Sequence, residues 1–242
     1  MATQTRPKKA RASTAQAVRK RVDSGGARYW KHSDFKNLPP SAVATELSRM
    51  SREGELQRIS KGVYYRPVQT SLGPSIAGAS AAAAQTLRAP VHPAGLSAAN
   101  ALGLTTQNPG KPVFATPAPK PPTALRNAIV HTGRPSERVK LSSKEGAILE
   151  ILWERARSSD LPAEETVRRL EAAISDEDSF ARLATAALAE PPRVRAMLGA
   201  LGEELQMPPR LLKRLRASLN PLSRFDFGPL RVLRTASEWQ AK

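Results

Sequence analysis

Between residues 41 and 52 the chain places apolar side chains at Val43, Ala44, Leu47 and Met50. That i, i+1, i+4, i+7 spacing lines one face of a helix. Ser41, Thr45, Ser48, Arg49 and Arg52 are left for the other face. Pro39-Pro40 fits the start of such a helix, and Gly54 stops it. Two short runs follow, residues 56–59 and 63–66, around Ser60-Lys61-Gly62, which predicts a basic β-hairpin. Upstream, residues 14–22 predict a helix, and Ser33-Asp34-Phe35 begins a short one capped by Ser33 or His32. The order over residues 27–66 is that of a helix-turn-helix followed by a wing.

The pattern changes after residue 68. An Ala-rich helix is expected over 76–87, after Gly73-Pro74, and a second over 96–102. Residues 113–116 and 128–131 read as short strands of a hairpin-like pair, with 138–141 as a third strand and the proline-rich 117–122 as a stiff loop. Ser142-Ser143-Lys144-Glu145 has capping-box spacing. It opens a series of five amphipathic helices jointed at Pro191-Pro192 and Pro208-Pro209. Residues 225–234 are expected to return as a strand and hairpin. The predicted fold class is α+β: a disordered basic arm (1–12), an N-terminal winged helix-turn-helix (13–67), a small α+β middle domain (68–143) and a helical C-terminal region (144–242).

Composition narrows the function. The chain has 242 residues with 38 Lys/Arg against 21 Asp/Glu, a net charge of +17. Residues 1–66 hold 15 of those bases and 5 of the acids, so the charge concentrates where the helix-turn-helix is expected. Neutralising phosphates releases counterions, which gives such a module salt-dependent affinity for DNA before any base is read. There are no cysteines, which excludes disulfides, thiolate metal sites and cysteine nucleophiles. No apolar signal core or membrane-length run is present, so the reading is a cytoplasmic bacterial protein with no membrane partner.

The candidate DNA-binding set is Lys36, Ser41, Thr45, Ser48, Arg49, Arg52, Arg58 and Lys61. Short polar side chains near the start of a recognition helix reach base edges, while Arg and Lys meet phosphates or a guanine edge. The plainer reading is a solvated helix with a surface hairpin, and winged-helix modules also mediate protein contacts. No catalytic or metal set emerges. His92 and His131 have no carboxylate motif between them, and Gly110-Lys111 lacks the spaced glycines of a phosphate loop. The expectation is therefore a non-enzyme without a cofactor. Met197 and Met207 read as core residues. The acidic run 150–190 and the basic cluster Arg210, Lys213, Arg214 and Arg216 read as solvated faces.

Several segments together carry a resemblance. They are Phe35, Ala42-Val43 with Leu47-Ser48-Arg49-Met50, the wing GELQRISKGVYY, and His92-Pro93-Ala94-Gly95 followed by Ala98-Ala99-Asn100-Ala101-Leu102-Gly103-Leu104-Thr105-Thr106-Gln107. This resembles the AbiEi-type antitoxins of type IV toxin–antitoxin systems, over roughly residues 15–145. The resemblance implies a winged helix that represses its own operon at repeated operator sites. It also implies a downstream domain that counters a nucleotidyltransferase-like toxin, without requiring a stable complex. By position it assigns DNA contacts to Ser41, Thr45, Arg49, Arg58 and Lys61. The alternative is a protein-interaction module, or a stand-alone regulator without a toxin, on the same scaffold.

Overall fold

The computed structural model describes residues 13–71, 73–75, 78–86, 89–120 and 128–242. The basic arm expected at 1–12 lies outside them, as do parts of the helix expected over 76–87 and of the loop 117–122. The architecture is mixed α+β, and the chain divides into two compact units, Met1–Thr86 and Leu87–Lys242.

In the first unit α1 (Thr14–Ser24) opens with a capping box. Ser13 Oγ accepts the Gln16 amide at 3.2 Å, and Gln16 Oε1 accepts the Ser13 amide at 3.1 Å. Strand β1 (Tyr29–Lys31) follows and then a single 3-10 turn, His32–Asp34. That turn replaces the expected Ser33 or His32 cap with a different closure: the Lys31 amide donates to Asp34 Oδ2 at 2.8 Å. Helix α2 (Pro40–Arg52) carries proline at its first position, where no amide is needed. It leads to β2 (Gln57–Ser60) and β3 (Val63–Tyr65).

These strands form an antiparallel sheet in the order β1-β3-β2. The β2–β3 turn is Lys61-Gly62, with Gly62 at φ +75°, a left-handed conformation open to glycine. Between α1, α2 and the sheet lie Val18, Val22, Trp30, Phe35, Val43, Leu47, Met50, Leu56 and Tyr64. The inward face of α2 differs from the expectation at one position. Ala44 is exposed, and Glu46 is buried in its place. Beyond the sheet, β4 (Gln69–Thr70) and β5 (Gly73–Pro74) pair antiparallel, and α3 (Ala79–Thr86) ends the unit.

The second unit contains β6 (His92–Pro93), α4 (Gly95–Ala101), β7 (Val113–Ala115) and β8 (Ile129–His131). The sheet order is β6-β7-β8. β7 and β8 run parallel rather than as a hairpin, so the third strand is β6 and not residues 138–141. Residues 138–140 belong to a 3-10 turn, Ser136–Lys140, which Leu141 ends and from which the Arg138 side chain reaches inward to two carboxylates.

Five helices follow: α5 (Ser143–Trp153), α6 (Ala163–Ala173), α7 (Glu177–Ala187), α8 (Pro192–Glu204) and α9 (Pro209–Ala217). The expected capping box at α5 is formed, with Ser142 Oγ accepting from the Glu145 amide at 3.2 Å. The return strand expected over 225–234 is a 3-10 turn, Gly228–Val232, followed by another, Ala236–Trp239. Only a single bridge, Phe225 to Ala241, resembles a strand pairing. Packing of Phe227, Leu230, Leu233, Ala236 and Trp239 into the helical core accounts for this. Among the described residues no helix is long and apolar enough to cross a membrane.

The acidic run is not a uniform solvated face. Glu150 and Glu190 are buried. Arg138, fully inaccessible, donates to Glu190 at 2.5 Å and also to Glu150. Arg134 donates to Glu150 at 2.7 and 3.0 Å, and Trp153 Nε1 donates to Glu190 at 2.6 Å. A buried charge set of this kind is tolerated only when each member has a partner.

Candidate nucleic-acid interface

The opposite sides of α2 do different work. Val43, Leu47 and Met50 anchor it to the core. Ser41, Ala44 and Thr45 are exposed and Ser48 is half-buried, and at helical spacing these four share a face with Arg52. Small side chains on that face let another surface approach the helix backbone closely. The Thr45 hydroxyl donates to the Ser41 carbonyl at 2.9 Å, which leaves its oxygen lone pairs outward as acceptors. No side chain caps the amino end of α2, so its first-turn amides remain available to an acceptor.

The bases divide into two groups. Lys36, Arg52, Arg58 and Lys61 are exposed and have no carboxylate partner among the described residues. Arg58 is on β2 and Lys61 at the hairpin turn. Arg49 differs, although the sequence groups it with them. Its Nε and Nη2 donate to Glu46 at 2.9 and 2.8 Å, and its Nη1 lies 3.9 Å from Glu53. Glu46 holds Arg49 along the flank of α2, away from the centre of the small-residue face. Among the eight candidates the structure thus brings Ser41, Thr45, Ser48 and Arg52 onto one helix face. It leaves Lys36, Arg58 and Lys61 as free cations beside it and turns Arg49 into an ion-pair member. Lone Arg49 was readable as a contact, but Glu46 three residues earlier was the signal for a helical pair.

Sequence reading also passed over the acid side of this network. Arg19 of α1 donates to Glu46 at 2.8 Å, to Glu55 at 2.7 Å and to Glu53. The two arginines hold the Glu46 carboxyl below its ordinary range against the opposing effect of burial, with the Arg49 hydrogen bonds the largest cause. The remaining acids of residues 13–66 are also engaged. Asp23 lies 3.4 Å from Arg66, and Asp34 binds the Lys31 amide with Arg28 at 4.0 Å. Every carboxylate in this stretch therefore has a partner, and the free charge around α2 and the hairpin is positive.

Elsewhere, His92 is buried in the second unit, packed against Gly146, with neither ring nitrogen in hydrogen-bond geometry to a described residue. On α9, Arg210 pairs with Glu177 and Arg216 with Glu203, each at 2.7 Å, while Lys213 and Arg214 are exposed. Met197 is fully buried and Met207 packs against the same core. Among the described residues no cluster of three or more His, Asp or Glu side chains could hold a metal ion.

Comparison with known proteins adds a fold-level relationship. Residues 27–121 match the model of a family of unknown function, DUF6088. Comparison with curated proteins returns no match. Among solved structures, the crystal structure of the RV2827C protein from Mycobacterium tuberculosis is similar over 93% of this chain and 89% of that one, at 17% sequence identity and a TM-score of 0.51. At that identity the likeness is one of fold, extending over both units.

Proposed function

We propose that the first unit is a winged helix-turn-helix that binds duplex DNA, with α2 as the recognition helix and the β2–β3 hairpin as the wing. The observation that carries this reading is the segregation of charge around α2. Its outward face is small and polar, free cations flank it, and each neighbouring carboxylate is already paired. A helix of this width fits the major groove, where Ser41, Ala44, Thr45 and Ser48 would meet base edges and thymine methyls. Lys36, Arg52, Arg58 and Lys61 would meet phosphates on either side.

The role that best accommodates such a module, given the resemblance of residues 15–145 to AbiEi-type antitoxins, is a repressor of its own operon that also counters a nucleotidyltransferase-like toxin. The second unit would then carry the antitoxic part. Two measurements test the two halves. Genomic fragments captured by the full chain should include its own promoter, and Arg58→Ala with Lys61→Ala should weaken that binding. A neighbouring reading frame encoding a nucleotidyltransferase, toxic alone and harmless when co-expressed with this chain, would support the antitoxin role. Absence of any promoter enrichment would remove the first half.

A further inference from the structure

We propose that Arg19 is a positioning residue that fixes the wing against the recognition helix, and that DNA affinity depends on it although it touches no DNA. The inference rests on the DNA-binding reading above and names the device that makes the helix and the wing act together.

Arg19 lies on α1, yet its three guanidinium nitrogens reach three carboxylates, one on α2 itself and two on the segment that joins α2 to β2. Nε meets Glu46 Oε1 at 2.8 Å, Nη1 meets Glu55 Oε1 at 2.7 Å, and Nη2 meets Glu53. Glu53 and Glu55 bracket Gly54, where φ is +82° and the chain leaves the helix for the hairpin. Gly54 has nothing within 4 Å of where a Cβ would be, so no side-chain packing at that residue braces the bend. The Glu55 and Leu56 amides close the bend on the Met50 carbonyl at 3.0 and 3.3 Å, and Arg19 adds a side-chain brace across it, its planar fork serving three acceptors at once. A lysine point charge lacks the fixed geometry to do so.

Isolated surface ion pairs contribute little. Here one partner, Glu46, has a side chain only 6% exposed and is shared with Arg49, so the pairs form a connected network with a buried root. Glu46 is on the helix side away from Ser41, Thr45 and Ser48, which puts Arg19 behind the proposed interface. Its effect on DNA must therefore pass through the wing. With the bend braced, the Arg58 and Lys61 contacts would form without first ordering the hairpin, and that ordering cost is what loosening the brace restores.

A double-mutant cycle on the full chain tests this, with affinity for a promoter fragment read by fluorescence anisotropy. Arg19→Ala is expected to weaken binding about 10-fold, and the wing variant Arg58→Ala/Lys61→Ala by a similar or larger factor. Combined, they should bind within about 2-fold of the wing variant alone, because Arg19 acts through contacts already removed. Combined instead with Arg52→Ala, whose contact is made from the helix, the losses should multiply. Arg19→Lys retains the charge and guards against a folding defect, and it should show an intermediate loss with an unchanged melting temperature. Affinity of Arg19→Ala within about 2-fold of the parent, or full multiplication with the wing variant, overturns the proposal while leaving the DNA reading intact. A wing variant that binds like the parent overturns both.

Discussion

If the first unit binds DNA as proposed, replacing Arg49 and replacing Arg58 should have different effects on how that binding responds to salt. Among the described residues, four exposed cations near α2 and the hairpin lack carboxylate partners: Lys36, Arg52, Arg58 and Lys61. If each neutralises one phosphate, they contribute a slope of about −3.6 in log affinity against log salt, or roughly a 150-fold loss between about 50 and about 200 mM. The four bases among residues 1–12 (Arg6, Lys8, Lys9 and Arg11) would add to that total where they engage DNA, so the decrement per variant is the diagnostic. Arg52→Ala, Arg58→Ala and Lys61→Ala should each make the slope shallower by about 0.9. Arg49→Ala should leave it unchanged, because its charge is already matched by Glu46 and Glu53. Anisotropy titrations at four or five salt concentrations supply the slopes. A slope that falls equally for Arg49 and Arg58, or that ignores Arg58 and Lys61, would refute the sorting of free from paired cations on which the interface is built.

Further outcomes concern the second unit. Arg138→Met strands Glu190 with only the Trp153 indole, so urea denaturation should show a loss of about 3–5 kcal/mol that Glu190→Gln partly restores; an unchanged midpoint would contradict the buried network. Gly146→Ala builds a methyl 2.1 Å from His92 Cγ, where neither backbone nor ring has room, and should cost about 1–3 kcal/mol, less in a His92→Ala background. His92 has its pKa lowered by burial and by the Arg138 cation, against weaker support from the nearby Arg138 and Ser142 backbone. The unfolded chain then takes up this proton first as pH falls through the ordinary histidine range, so stability should decline with acidification there, and His92→Asn should flatten that part of the profile. Glu145 and Glu150 are lowered too, despite burial, so their contribution is present above the ordinary carboxylate range and is lost as pH drops through their folded-state values.

Much of the helical content was legible because its signals are local. Ser142 with Glu145 and the paired prolines that open α8 and α9 mark boundaries that any window of a few residues contains. The hairpin was legible for the same reason, through Gly62. What escaped was set by partners distant in sequence. Strand β1 is three residues long and is defined by its register with β3, Trp30 against Tyr64, which no local alternation announces. The parallel pairing of β7 with β8 depends on a crossover rather than a turn. On α2 the period placed Val43, Leu47 and Met50 correctly but could not distinguish Ala44 from Glu46 as the fourth inward residue. Arg19 on another helix decides that choice by making burial of a glutamate tolerable. The candidate set likewise held Lys36, Arg52, Arg58 and Lys61, which have no carboxylate partner among the described residues, yet it counted Arg49 with them because ion pairing depends on neighbours in space.

The opening of α5 has a consequence for motion. Glu145 closes the helix start by accepting the Ser142 amide at 2.7 Å, and the same carboxylate takes up the Ser179 hydroxyl at 2.9 Å and the Arg182 guanidinium at 2.7 Å. Fraying the first turn of α5 would release its hold on α7 as well. Residues 145–152 are all buried, so little of α5 can loosen alone. Its amides are placed to exchange with solvent only when the whole second unit opens, making this helix one of the slow clocks in that half of the molecule.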